Sequence, residues 1–488
     1  MRTFLTLVLG LLVLVAVALG GAWVWAGTQP APTIHIRQPG ALIGQATSLD
    51  LMVETPGGKL SSLSVTVEQQ GKSLPVYALA EAPSEGGAPA EQFYVMRPLG
   101  KQALPQLQAG PARIVVHAAR PVLYGLRTLS ATATKDVTVR LEPPQVSVLS
   151  TKHYVNIGGA EFVVFRATPA DVEAGVKVGE RRFPAFPASG VGIPGDASTR
   201  VAFFALPHDA DVNVPIVVFA RDAAGNEATT PLDHETFPKP FLKSRIEVDD
   251  RFLGRVVPAI IAGSPGLSLS TAPSDVVNSF VAINSDVRKK NGETIAGLAK
   301  TTAPKMLWNG PFEQLGNSKV ESRFADSRTY VYKGKEIDHQ THLGFDLAVT
   351  ANVPIASAQS GVVAWAAYLG IYGNCVIVDH GLGVHSLYAH LTSIDVKPGA
   401  TVEKGQILGR SGMTGLAGGD HLHFTMLLDG QAVNPVEWWD LKWMTDRVLR
   451  KIAEAGGPAV AAAPAAAASA PAARPRRPSA RRPSRRRR

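Results

Sequence analysis

A single cysteine, Cys375, in 488 residues excludes any intramolecular disulfide. That absence says little about compartment, because exported proteins also dispense with disulfides. Cys375 lies in the apolar run CVIV with no motif around it and reads as a buried core residue. Charged residues make up only 18% of the chain against 45% hydrophobic, a balance that excludes wholesale disorder. The net charge of +9 suggests a nucleic-acid binder only until it is located. Nine arginines lie between Arg474 and Arg488 with no acid among them, and removing them leaves 40 basic against 40 acidic residues. The body is therefore neutral, and specific nucleic-acid binding is not expected. Charge is also missing from Phe4 to Ala26, 23 residues in a row. At 1.5 Å per residue these span roughly 34 Å, enough to cross a bilayer. The run exceeds the usual signal-peptide core of about 7–15 residues, and no clean small-x-small site follows it. Residues 1–28 read as an uncleaved signal anchor rather than a cleaved signal peptide. Arg2 then stays inside and the remainder is exported.

What is present is mainly β-structure, in a chain long enough for about three domains. Over 33–142, Leu63, Val65 and Val67 alternate with polar neighbours, as do Val137, Val139 and Leu141. Period two marks half-buried strands. A second β-rich unit covers 143–240, with strands expected at Glu161–Arg166, Arg200–Leu206 and Val214–Arg221 and a tight turn at Asp222–Asn226. In pattern the two units resemble immunoglobulin-like sandwiches. Their histidines, His35, His117, His153, His208 and His234, are scattered singly and read as structural or surface residues. Over 246–301 the spacing turns helical: Val276, Phe280, Ile283 and Val287 keep it, as do Phe252, Val256 and Ile260 across Pro258. This connector is expected to hold the final domain at a distance or to cover its groove. Residues 451–488 are Ala/Pro-rich, then Arg/Pro/Ser-rich, and read as a disordered basic tail. The tail is either a solvated charge run or an attachment to an anionic envelope polymer or lipid headgroup.

Seven of the twelve histidines fall between His339 and His423. His421 and His423 are two apart in HLHFTML, a segment of strand character, so both imidazoles point to one face. His342 and Asp346 are four apart, roughly 13 Å on a straight strand, too far for two ligands of one ion. Gly344 between them permits a bend, and the following Phe-Asp-Leu-Ala-Val disfavours a helix. A third histidine, His390, follows Tyr388-Ala389 on another expected strand. A catalytic zinc site needs three nitrogen or oxygen ligands and an open position. A lone His-x-His is a weak signal; both pairs in this order with His390 between them are strong.

From Trp308 to Trp439, about a quarter of the chain, the sequence resembles the lysostaphin/LytM zinc endopeptidases. The likeness is carried by HLGFDLAV, VPIASAQSGVVAWA, YGNCVIVDHGLGVHSLYAHL, VKPGATVEKGQILGRSGMTG, HLHF and Asn434-Pro435. The resemblance implies an all-β, duplicated-hairpin peptidase domain over 302–445. It implies that His342, Asp346 and His423 hold one zinc ion, and that His390 and His421 act on the attacking water and the developing oxyanion. Which of the two is the base stays open. The implied substrate is a peptide of the cell-wall peptidoglycan. The implied location is the bacterial cell envelope, anchored in the inner membrane with the bulk in periplasm or wall. One departure stands out: the family often has glycine after the Phe of Ser-x-Phe, where this chain has Ala325. His339 and Asp420 border the motifs and read as supporting or surface residues; His380 and His385 receive no role. Tyr388 is expected on the same face as His390, to bind the oxyanion or simply to pack.

Three rivals are weaker. A non-catalytic adaptor that activates another wall hydrolase does not need all five positions. A lipoyl- or biotinyl-carrier hairpin is suggested by Val396–Gly399 and Val402–Gly405, but the surroundings of Lys404 do not match a modification site. D-Ala carboxypeptidase-type zinc enzymes space His and Asp more widely.

Overall fold

The computed structural model describes residues 2–56, 60–79 and 91–458. Residues 57–59 and 80–90 and the basic tail from residue 459 lie outside them. The chain is mainly β, opening with helix α1 (Arg2–Gly27). Its apolar side chains are exposed along its length, and by length and composition it can cross a membrane.

The first β-unit packs a three-stranded sheet on a five-stranded one. The latter contains β1 (Ser62–Gln69), β2 (Gly110–Val122) and β3 (Arg127–Val139). Alternation does what period two demands: Leu63, Val65 and Val67 point inward to Ile114, Val116 and Leu51, while their neighbours face solvent.

The second unit sets two four-stranded sheets face to face. One contains β4 (Ala160–Thr168) and β6 (Thr199–Ala205), the other β5 (Glu173–Val178) and β7 (Ile216–Arg221). The runs EFVVF and VAFFAL are buried on both faces, which explains why they do not alternate. Their second face meets the C-terminal domain: Phe203 lies 5.6 Å from Trp438 and 6.4 Å from Trp308, ring centre to ring centre. One core runs through both. The Asp222–Asn226 turn docks on the first unit, where the Asn226 carboxamide donates to Arg140 O and accepts from Gln45 N.

The expected break at residue 451 falls inside a helix, Arg450–Glu454. Lys451 Nζ sits 2.7 Å from Glu161 Oε1, both fully buried. Removing one partner strands the other charge, at about 3–5 kcal/mol. Lys451→Met is therefore expected to lower unfolding free energy by about that much in denaturant titration. Glu161→Leu combined with it should recover most of the loss, since a packed apolar pair has no charge to desolvate.

Strand β8 (Lys243–Val248) leads into the connector: α2 (Asp250–Gly263), α3 (Val276–Ala282), a π-turn over Ile283–Val287 and α4 (Arg288–Ala299). Asp249 caps α2, accepting from Phe252 N at 2.7 Å. The C-terminal domain then builds β9 (Lys319–Ser322), β10 (Asp326–Tyr332), β11 (Lys335–His342), β12 (Phe345–Ala348), β13 (Gly361–Tyr368), β14 (Asn374–Asp379), β15 (Val384–Leu391) and β16 (His421–Leu428). Its main sheet runs β9-β12-β16-β15-β14-β13, while β8, β10 and β11 form a separate sheet at its edge.

Candidate active site

The central strand β16 is buried at every position. Register pairs Asp346 with His423 across β12–β16 and Ala389 with His423 across β15–β16. His342 ends β11, and the chain bends at Leu343-Gly344 before β12. A side chain at Gly344 would come within 2.6 Å of His423 Nε2 and Thr425 Oγ1, so only glycine lets the bend pass this close. The bend brings His342 Nε2 to 2.9 Å from Asp346 Oδ1 and 3.0 Å from His423 Nδ1. His423 Nδ1 is 3.0 Å from the same carboxylate oxygen.

His390 reaches the site by a different device. Two residues, Ala389 and His390, stand opposite Cys375 alone, a bulge between β14 and β15. His390 has φ +63°, the left-handed region. Such strain is held by its surroundings and recurs at functional sites. The kink separates His390 from Tyr388, correcting the expectation that they share a face. Tyr388 turns into the core, where its hydroxyl accepts from Ala358 N at 2.7 Å and from Ser386 Oγ at 2.9 Å. It packs and does not line the cavity. His421 completes the cluster, with its ring centre 4.8 Å from that of His390 and its Nε2 3.5 Å from Asp346 Oδ1.

The tautomers follow from the partners. His342 Nδ1–H donates to Arg323 O at 3.1 Å, His390 Nδ1–H to Thr414 O at 2.8 Å, and His421 Nδ1–H to Gly419 O at 2.9 Å. Carbonyls only accept, so each opposite nitrogen keeps a lone pair while its ring is neutral. The Thr425 hydroxyl donates to Leu343 O at 3.0 Å, so at 3.0 Å it accepts from His423 Nε2–H. That leaves His423 Nδ1 as a lone pair too. With the rings neutral, three lone pairs, on His342 Nε2, His423 Nδ1 and Asp346 Oδ1, therefore face one another. Among the described residues this is the group of histidine and acidic side chains with metal-site spacing. A tetrahedral zinc with ligands at 2.0–2.1 Å would place them about 3.3 Å apart, close to the distances observed.

Electrostatics favours a cation there. Burial alone would raise the Asp346 carboxyl, but the imidazoles of His342, His421 and His423 outweigh it and hold it well below the usual range. Burial pushes His423 down to about 4. Burial and the neighbouring imidazoles hold His390 well below its ordinary value. Burial lowers His421 as well, yet the Asp346 carboxylate more than compensates and its balance is upward.

Several residues at the site escape sequence reasoning. Arg328 on β10 donates to Asp346 Oδ2 at 2.9 Å and Ser322 Oγ at 2.6 Å, leaving Oδ1 to the imidazoles. Nothing local in its sequence marks it. Thr425 was signalled by period two, being next after His421 and His423 on one face of β16. Tyr372 packs 5.6 Å from the His423 ring. Arg288, at the start of α4, lines the cavity together with Tyr330, Ile371 and Leu416. The remaining histidines are outside it: His339 is exposed, His380 bonds Ser360 O and Ser386 Oγ, and His385 lies against Asp379. Asp420 accepts from Asn352 N and holds a loop. Ala325, where the family often has glycine, has φ +61°; the left-handed backbone is the reason for that preference.

Residues 340–435 match the family model for peptidase family M23. The chain carries an M23 peptidase domain. Over 112 residues it is 37% identical to the DD-carboxypeptidase/endopeptidase Mpg of Neisseria meningitidis, covering 22% of this chain and 26% of that protein. Over 96 residues it is 36% identical to the peptidoglycan DD-endopeptidase ShyA of Vibrio cholerae, covering 20% and 22%. The match thus spans about a quarter of each relative's length. Among solved structures, the lysostaphin catalytic domain of Staphylococcus simulans aligns at 26% identity and TM-score 0.23, over 26% of this chain and 96% of that one. The M23 segment contains all five motif residues, His342, Asp346, His390, His421 and His423.

Proposed function

We propose that the M23 domain is a zinc-dependent endopeptidase that hydrolyses peptide bonds in peptidoglycan stems or cross-links. The observation that carries this reading is the convergence of the ligand atoms of His342, Asp346 and His423, with the imidazoles of His390 and His421 beside them. His342, Asp346 and His423 would hold the ion. When bound, zinc supplies Lewis acidity, lowering the pKa of water to about 7 and polarising a carbonyl. His390 and His421 divide two tasks at their Nε2 atoms: one takes the proton of the attacking water on its lone pair and passes it to the leaving amide nitrogen, the other, when protonated at Nε2, donates a hydrogen bond to the carbonyl oxygen. Their fixed Nδ1–H bonds orient both rings before substrate arrives.

The test is mass spectrometry of purified peptidoglycan after incubation with the full chain. New peptide termini that vanish with a chelator and return with zinc support hydrolysis. Stoichiometric zinc binding without any fragment, even after the connector is displaced, would favour the adaptor that activates another wall hydrolase. One observation favours that second reading: the cavity around the histidines holds only about 110 Å³, against 300–1,000 Å³ for an ordinary ligand pocket.

Arg328 is a positioning residue in this scheme. Arg328→Ala is expected to weaken zinc affinity about 10–100-fold, the usual effect of losing a ligand's outer partner, as read by chelator competition. Arg328→Lys should recover only part, because Nη2 bonds Asp346 and Ser322 while Nε bonds Asp326, an arrangement a single ammonium cannot reproduce.

A further inference from the structure

The first β-unit carries a feature that neither its core nor the peptidase uses. Strands β2 and β3 pair over their full length, from Gly110 with Val139 to Val122 with Arg127. Strand β1 accompanies β2 only as far as Ala119. Beyond it the hairpin projects alone and ends in the turn Leu123-Tyr124-Gly125. Tyr124 is 105% exposed and Leu126 72%. Leu123 and Tyr124 both adopt left-handed backbone, φ +52° and +54°. An L-residue with a large side chain rarely sits there without compensation, and Tyr124 gains no packing within the chain. From Ile114 to Lys135 the sequence has no acidic residue, but it has Arg120, Arg127 and Lys135.

The direction of the hairpin gives this tip a setting. Its end lies against the last turns of α1, and the turn itself touches that helix. The Arg127 guanidinium stands 5.2 Å over the Trp23 ring and donates to Trp23 O. A side chain at Gly27 would meet the same guanidinium, so the missing Cβ leaves room for it. Trp23 lies one helical turn inside the C-terminal end of α1, about 6 Å along its axis. Arg127, just past the turn, therefore meets α1 within its last helical turn. Tryptophan, tyrosine and arginine beside an apolar helix end are the residues that sit at a membrane–water boundary, apolar bodies inward and polar tips outward. Any partner covering Tyr124 and Leu126 at that depth is lipid if α1 spans the bilayer.

We propose that the β2–β3 tip, Leu123–Leu126, inserts into the headgroup–acyl boundary of the leaflet from which α1 emerges. The chain would then touch the bilayer twice, through a helix and through a hairpin, with Arg127 facing anionic headgroups. Two contacts fix the tilt of the first β-unit, and with it the direction in which the rest of the chain leaves the membrane. The inference rests on reading α1 as a membrane anchor.

The full chain in nanodiscs of phosphatidylethanolamine and phosphatidylglycerol tests it. An environment-sensitive fluorophore is placed singly at Leu126→Cys, at Val13→Cys within α1, and at Lys72→Cys. Lys72 begins the strand at the opposite end of the sheet, and the native Cys375 is buried and does not compete for label. Expected are blue-shifted emission at 126 and quenching by headgroup- and shallow-chain nitroxide lipids several-fold stronger than at 72. Deep quenching at 13 with a water-like signal at 126 overturns the proposal and leaves the anchor standing. Water-like signals at both 13 and 126 overturn the anchor and the proposal together.

Discussion

His423→Ala should abolish release of peptide fragments from peptidoglycan and, in the same preparation, remove bound zinc. His390→Ala should abolish release while leaving one zinc per chain. The two variants separate holding the ion from handling the proton. Loss at His423 is expected to reach at least ~10³-fold, because without the ion the pKa of water returns from about 7 to 15.7 and the carbonyl is no longer polarised. Loss at His390 is expected near 10²–10⁴-fold, the range for a general acid–base group or an oxyanion donor. Both variants should stay folded. His423 donates one bond, to Thr425, and His390 donates one, to Thr414; about 1–2 kcal/mol each is small against domain stability. Zinc content by elemental analysis and fragments by mass spectrometry decide it. Zinc retained at full occupancy in His423→Ala, or lost in His390→Ala, would overturn the division of roles.

The cluster itself was legible because its residues are local in sequence. HLHF is a strand by composition, and period two forces His421 and His423 onto one face. HLGFD needed one more inference, that Gly344 bends the chain, and the collision a Cβ would meet there gives the reason. What stayed illegible depends on partners distant in sequence. The position of Tyr388 could not be read, because the bulge that turns His390 away from it arises in pairing with β14. Arg328 carries no motif, and its partner Asp346 is 18 residues away. The second β-unit read as a separate β-rich unit; its strands were visible, but not what covered them. Trp438 on the helix Pro435–Trp439 and Lys451 supply that cover from 235 and 290 residues on, and no periodicity announces such a contact. The connector was legible as helix, and covering a groove was one of two jobs its position allowed.

The connector's placement leads to the second large effect. Helices α2 to α4 bridge the two rims of the histidine cavity. On one rim, Arg255 donates to Ala417 O at 2.9 Å and Gly418 O at 3.3 Å, and Asn291 accepts from Ile371 N at 3.0 Å. On the other, Phe280 packs 5.6 Å from Tyr330, and Asn284 donates to Asp338 at 2.6 Å. A space of about 110 Å³ between them is small for a peptide, so the proposed hydrolysis would need this bridge to swing away. The Arg255 tie lies at the surface and the Asn291 tie is buried, both beside the apolar contacts of Phe280, Ile283 and Val287 with Tyr330 and Ile371. Each contributes about 1 kcal/mol net. Removing both in Arg255→Ala/Asn291→Ala shifts the balance between closed and open forms by about 2 kcal/mol, roughly 30-fold. While the open form stays in the minority, the rate on peptidoglycan and on a short soluble peptide should rise by that factor. The gain should come in kcat/KM for both substrates, since access limits both. A rise on the wall polymer alone would place the obstruction in the upstream units instead. No rise on either substrate, with zinc bound and His423→Ala inert, would show that the helices move freely already and that the bond-breaking step limits turnover.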